Sequence, residues 1–176
     1  MMNRITIIPT GDEILDGTVR DLDSPMVLSE LLRLWPQACA VRAAPAADSL
    51  PAILAALEAA QAEGTDLAIL IGGSGGGHRF SPTLGKDFSH SAMDVFLQTG
   101  SAREIYGKNG HLWCRLVCGL RDSMLLINLP GPYVEAQAAI TAFLAAIQST
   151  ADPSALVDAM AEAVFAQYPC GSAEPL

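Results

Sequence analysis

The sequence predicts an α/β fold, a three-layer sandwich in which a mostly parallel sheet carries helices on both faces, and three observations predict it. Strand-like and helix-like segments alternate from residue 4 onward, the order that builds parallel sheets under crossover helices. Leu67–Ile71 and Met124–Leu129 are nearly unbroken apolar runs, as expected of strands buried on both faces. Each run closes on glycine, the first on Gly72-Gly73-Ser74-Gly75-Gly76-Gly77 and the second on Pro130-Gly131-Pro132. Carboxyl ends of parallel strands share one edge of a sheet, and ligands of open α/β sheets bind there.

The elements follow in order. Arg4–Pro9 (RITIIP) is rich in β-branched residues and reads as the first strand, with Thr10, Gly11, Asp12 and Glu13 as the loop at its carboxyl end. Asp16-Gly17 signals a turn. Asp23 or Ser24 caps the next helix, with Pro25 in its first turn, where a missing N–H costs nothing. Met26, Val27, Leu31, Leu32 and Leu34 recur at helical spacing until Trp35-Pro36 stops it. Residues 38–44 (ACAVRAA) give a second strand. Ser49, with Pro51 just after it, caps a helix over 50–63 that turns Ile53, Leu54 and Leu57 to the core. Glu63-Gly64 ends that helix and delivers the chain to the first apolar run.

Beyond the glycines, residues 78–91 are polar and irregular, and 89–98 reads as a helix closed by Gly100. REIYG, HLWCRLVCGL and SMLLINLP are three further strands or strand fragments. Residues 133–147 form an Ala-rich helix, and Pro153 starts an amphipathic helix that runs to Gln167 before a frayed tail. One domain is expected, with residues 1–150 as its body and 151–176 as its terminal helix and tail.

Composition narrows the function. Charged residues make up only 16% of the chain, below the roughly 25% usual in globular domains, which points to a surface partly covered by another subunit. The formal net charge of −9 argues against nonspecific nucleic-acid binding, which needs clustered Lys and Arg. No segment approaches about 18 uninterrupted apolar residues, so no membrane span is read, and the amino terminus lacks the apolar run of a signal peptide. Cys39, Cys114, Cys118 and Cys170 have no framework spacing, and reduced thiols in a cytoplasmic protein are expected. His90, His111 and Cys114 show no tight ligand spacing, so no metal set is assigned.

The glycine stretch carries the first chemical signal. Glycines at a strand's carboxyl end let backbone N–H groups approach an anion closely, and such amides make a positive site even on an acidic protein. His78 and Arg79 beside the glycines read equally as phosphate contacts or as solvated loop residues. The loops after the first strand, after Ile71 and after Leu129 share one edge and converge on one crevice.

On these three stretches the chain resembles a known family. TGDEILDGTVRDLDSPMVLSELL, DLAILIGGSGGG and LPGPYVEAQAAITAFL are similar to the signature stretches of the molybdopterin-binding family of molybdenum-cofactor biosynthesis. The same domain forms the amino-terminal part of the competence/damage-inducible proteins. The resemblance spans residues 4–147 and implies that family's three-layer fold. It implies molybdopterin as ligand or substrate. The implied binding residues are Thr10, Gly11 and Asp12 in the first loop, and Asp23 and Ser24, with Asp21, at the opening of the next helix. Gly72, Gly73, Ser74, Gly75 and Gly76 form the implied pterin and phosphate cradle, closed by Leu129, Pro130 and Gly131. A homotrimer is implied as well.

Catalytic members of the family carry an acidic residue a few positions past the glycines. Here the stretch reads His78, Arg79, Phe80, and the nearest acid that follows is Asp87. Asp12, Glu13 and Asp87 are therefore the candidate catalytic carboxylates for a Mg²⁺-assisted adenylyl transfer from ATP. Two alternatives stand beside it: a noncatalytic molybdopterin sensor or carrier, and a nucleotide-pyrophosphate hydrolase of the competence/damage-inducible type.

Overall fold

A computed structural model describes residues 2–75 and 87–176 of the chain. The elements, in chain order, are β1 (Arg4–Pro9), α1 (Asp12–Leu15), α2 (Asp23–Leu34), β2 (Cys39–Arg42), α3 (Leu50–Ala62), β3 (Leu67–Ile71), α4 (Ser89–Phe96), β4 (Thr99–Tyr106), β5 (Leu112–Arg121), β6 (Met124–Leu129), α5 (Tyr133–Ala146) and α6 (Pro153–Phe165). The strands form one six-stranded sheet in the order β2-β1-β3-β6-β5-β4. β2, β1, β3 and β6 run parallel, and β5 and β4 complete the sheet as an antiparallel meander.

Side chains alternate across the pleat and build two apolar layers. Ile7, Ile69 and Ile127 pack with Val27 of α2, Phe143 of α5 and Val157 of α6 on one face. Ile8, Leu70 and Leu126 pack with Ile53 and Leu57 of α3 and Met93 of α4 on the other. The central strands β3 and β6 are buried along their whole length. No helix of the described residues is long and apolar enough to cross a membrane.

Four local expectations need correction. Gly100 does not close the helix before it: α4 ends at Phe96, and Gly100 pairs with Gly119 inside β4. Pairing with β5 overrides the local stop signal. Neither Asp23 nor Ser24 caps α2; the Ser24 N–H donates to Asp21 Oδ1 at 2.9 Å, because the chain is already helical at Leu22. Asp12 and Glu13, read as loop, open the single turn α1, Asp12–Leu15. The tail is not frayed throughout, since the Glu174 N–H donates to the Tyr106 carbonyl at 2.8 Å and Ala173 bridges Gly107.

One buried polar residue sets the geometry around the glycine loop. The β5–β6 pairing runs only from Arg121–Met124 to Cys118–Ile127. Past that point fully buried Asn128 substitutes for the ladder: its Oδ1 accepts from Val117 N at 2.6 Å and its Nδ2 donates to the Arg115 carbonyl at 2.9 Å. The Arg115 N–H meanwhile donates to the Ser74 carbonyl at 2.7 Å. The segment after β3 is thus bonded to β5 where β5 parts from β6.

Candidate functional site

A cleft of about 460 Å³ lies at the carboxyl edge of β1, β3 and β6. Its lining includes Thr10, Gly11 and Glu13 after β1, Gly72 and Gly73 after β3, and Gly131 and Pro132 after β6. The three predicted loops therefore meet in one place. An alanine-sized side chain at Gly131 would stand 3.8 Å from the Gly72 Cα, so two of these loops touch.

Backbone bonds hold the loops together. The Ile71 carbonyl accepts both the Thr10 N–H at 2.8 Å and the Thr10 hydroxyl at 3.0 Å, so buried Thr10 ties the end of β1 to the end of β3. Thr10 Oγ1 also lies 3.2 Å from Ser89 Oγ, at the start of α4. The carbonyls of the glycine loop are engaged one after another. Gly73 O accepts from Ser89 N at 3.2 Å, Ser74 O from Arg115 N, and Gly75 O lies 3.0 Å from His90 Nε2. Among the described residues none of the N–H groups of Gly73, Ser74 and Gly75 has an acceptor. Gly72 and Gly73 have φ of 97° and 59°, the region glycine alone adopts freely. A Cβ at Gly73 would also lie 2.7 Å from Ser89 Oγ. The absence of a side chain there is thus a packing requirement as well as an opening for an anion.

The predicted carboxylates occupy different positions. Glu13, Asp23 and Asp87 line the cleft. Asp12 does not; its Oδ1 accepts the Asp48 N–H at 3.1 Å. Asp23 is the most perturbed of them. Burial, and then the negative charge of Asp21, pushes its carboxyl up to about 6. Its Oδ1 is buried with no hydrogen-bond partner among the described residues, and the same holds for the Ser24 hydroxyl. Asp21 goes the other way: burial raises it, but hydrogen bonds from Ser24 and the Arg42 guanidinium, 2.6 Å away, leave it below the ordinary carboxylate range. Two acids two residues apart are thus shifted in opposite directions, a pattern found at functional sites.

Ser74 and Gly75 are not part of the cleft lining. Ser74 is buried, with its hydroxyl 3.7 Å from Cys114 Sγ. Pro130 is buried and stands outside the lining too. Gly76, His78 and Arg79 lie outside the described residues. Among the described residues no three His, Cys, Asp or Glu side chains are grouped as metal ligands.

Sequence reasoning missed Asp48, Arg20 and Tyr133, all of which line the cleft. Burial, and then the nearby Glu13, Asp12 and Asp87 charges, raises the Asp48 carboxyl, while the Asp12 N–H counteracts this. Asp48 could have been found, because it follows the parallel strand β2 and so belongs to the same sheet edge. Arg20 is the one basic residue among the described lining, set against Glu13, Asp21, Asp23, Asp48 and Asp87.

A family model described as a probable molybdopterin-binding domain matches residues 6–149. No curated protein sequence matches the chain. Similar solved structures include the molybdopterin biosynthesis enzyme MoaB of Thermus thermophilus, at 22% identity and a TM-score of 0.56 over 96% of this chain and 92% of that one. The CinA protein of Thermoplasma acidophilum gives a TM-score of 0.61 at 18% identity, covering 81% and 96%. The molybdopterin biosynthesis Mog protein of Mycobacterium ulcerans gives 0.58 at 20% identity, covering 94% and 96%. At such identities the likeness is one of fold. The family match, however, spans five of the six strands in full, most of β1 and every described residue of the cleft lining, and the chain belongs to the molybdopterin-binding domain family.

Proposed function

We propose that this protein binds molybdopterin in the cleft and acts in molybdenum-cofactor biosynthesis, either adenylylating the pterin or handing it on. One juxtaposition supports this reading: Gly73, whose backbone N–H has no described acceptor, and Asp23, whose buried Oδ1 has no described donor, line the same cleft. Molybdopterin, a dithiolene-bearing pterin phosphate, brings the complement of each. Its phosphate suits backbone N–H groups, and its amino and amide N–H groups suit carboxylate acceptors. An uncharged aliphatic ligand would leave both protein groups unsatisfied in a partly dry site.

In the catalytic form of this reading Glu13 and Asp87, which line the cleft, would be the one or two carboxylates that hold Mg²⁺, and the metal would neutralise charge on the phosphates of ATP. A binding or carrier role is favoured by one observation, the absence of any acid in residues 78–86, directly after the glycines. Calorimetry under anaerobic conditions with molybdopterin, followed by pyrophosphate release with ATP and Mg²⁺, separates the two. Pterin-dependent pyrophosphate release supports adenylylation, and binding without release supports the carrier. A protein that binds neither molybdopterin nor ATP refutes the proposal.

The homotrimer belongs to the same reading, supported by the low charged fraction of the chain. A sedimentation mass of one chain, 18.4 kDa, at micromolar concentration would rule it out.

A further inference from the structure

We infer that Tyr133 is the stacking and specificity residue of the cleft, the aromatic surface on which the ring system of a planar, N–H-rich heterocycle rests while the cleft carboxylates accept its N–H groups. The inference rests on the cleft being the ligand site, and it adds what the cleft selects.

Tyr133 is the first residue of α5, directly after Pro130-Gly131-Pro132, and it lines the cleft while remaining 43% exposed. Its hydroxyl has no hydrogen-bond partner among the described residues, so no described hydrogen bond fixes its placement. It is the one aromatic side chain in the described lining. Val19 and Leu22, which also line the cleft, are 48% and 61% exposed. Three of the eight large apolar side chains that the described surface leaves in water, Val19, Leu22 and Tyr133, therefore line this one cleft. Exposed apolar clusters of this kind mark binding sites.

The lining thus combines two chemistries. Apolar and aromatic surface rewards a flat ring by stacking and by release of water. The carboxylates of Glu13, Asp23, Asp48 and Asp87 reward ring-edge N–H donors. A sugar phosphate has neither a π face nor N–H groups, and a plain aromatic ring lacks the donors. A pterin has both, and an adenine ring has a π face with fewer donors. Tyr133 stacking accordingly separates ring-bearing ligands from other phosphates, and the donors rank pterin above adenine.

The test uses the full chain with neopterin, AMP and ribose 5-phosphate as probes, followed by fluorescence and calorimetry. Tyr133→Phe should bind neopterin within about twofold of the parent, and Tyr133→Ala should lose about tenfold, the scale of one aromatic stack. Tyr133→Trp should show indole fluorescence quenched by bound neopterin and unchanged by ribose 5-phosphate. Melting temperatures of the three variants should match the parent, because the side chain is exposed. Parent-like neopterin affinity in Tyr133→Ala, or unquenched Tyr133→Trp with neopterin bound, overturns the assignment and leaves the cleft as the ligand site. A parent that binds neither neopterin nor AMP overturns both.

Discussion

Asp12 and Asp48 hold each other's backbone: the Asp48 N–H donates to Asp12 Oδ1 at 3.1 Å and the Asp12 N–H to Asp48 Oδ2 at 3.4 Å. The pair joins the start of α1 to the loop after β2, whose Asp48 lines the cleft. It also divides the labour between two acids. Asp12→Asn keeps an acceptor at the same place, so melting temperature and ligand affinity should stay near the parent's. Asp48→Asn should weaken ligand binding by about tenfold, on the order of 1.4 kcal/mol. Calorimetry on both variants is decisive, and the opposite ranking would return the functional role to Asp12.

Asp23 predicts a pH dependence of stability. Its carboxyl sits at about 6 in the fold against 3.8 ordinarily, so the folded state holds its proton more tightly than the unfolded chain does. The stabilisation is complete below about pH 4 and is lost as pH rises through 6. Asp23→Asn removes the charge that the fold resists. Its melting temperature should match the parent's near pH 4.5 and exceed it by roughly 3 °C at pH 7.5, a shift that allows for the carboxyl's partial exposure. Equal melting curves at both pH values would show that the carboxyl titrates normally.

Gly73 and Ser89 should behave as a coupled pair. Gly73→Ala places a side chain at φ 59° and 2.7 Å from Ser89 Oγ, so it should cost about 1–2 kcal/mol of stability before any ligand is added. Ser89→Ala removes the colliding oxygen, and the double variant should recover part of the loss. Additive effects in a denaturant-unfolding cycle would deny the contact.

Asn128→Leu should be the most damaging single change among these. It leaves the buried Val117 N–H and the Arg115 carbonyl without their partners, at a cost of about 2–4 kcal/mol. Because Arg115 also bonds Ser74, ligand affinity should fall with stability. Urea unfolding measures the first effect and calorimetry the second; a loss below about 0.5 kcal/mol would show that water takes over both bonds.

Much of this architecture was legible along the chain. The apolar runs of β3 and β6 announce strands covered on both faces, and the glycines after them announce loops at the shared edge. Ser49 with Pro51 announces α3, and the Ser49 hydroxyl accepts the Ala52 N–H at 3.4 Å as an N-cap does. Gly100 misled because a helix stop and a strand residue are the same residue type, and only the pairing with Gly119 distinguishes them.

Within the cleft the division follows the range of the interactions. The sequence by itself determined which residue types stand at the carboxyl ends of β1, β3 and β6, because strand burial and turn chemistry are written in neighbouring residues. It could not say that Asp12 would bond to Asp48 across the sheet edge, that the Ser74 hydroxyl would lie by Cys114, or that the Asp23 carboxyl would be pushed up while Asp21 pairs with Arg42. Those outcomes depend on distances between residues far apart in the chain and on how much water each carboxyl loses, quantities that exist only once the sheet and its helices have packed.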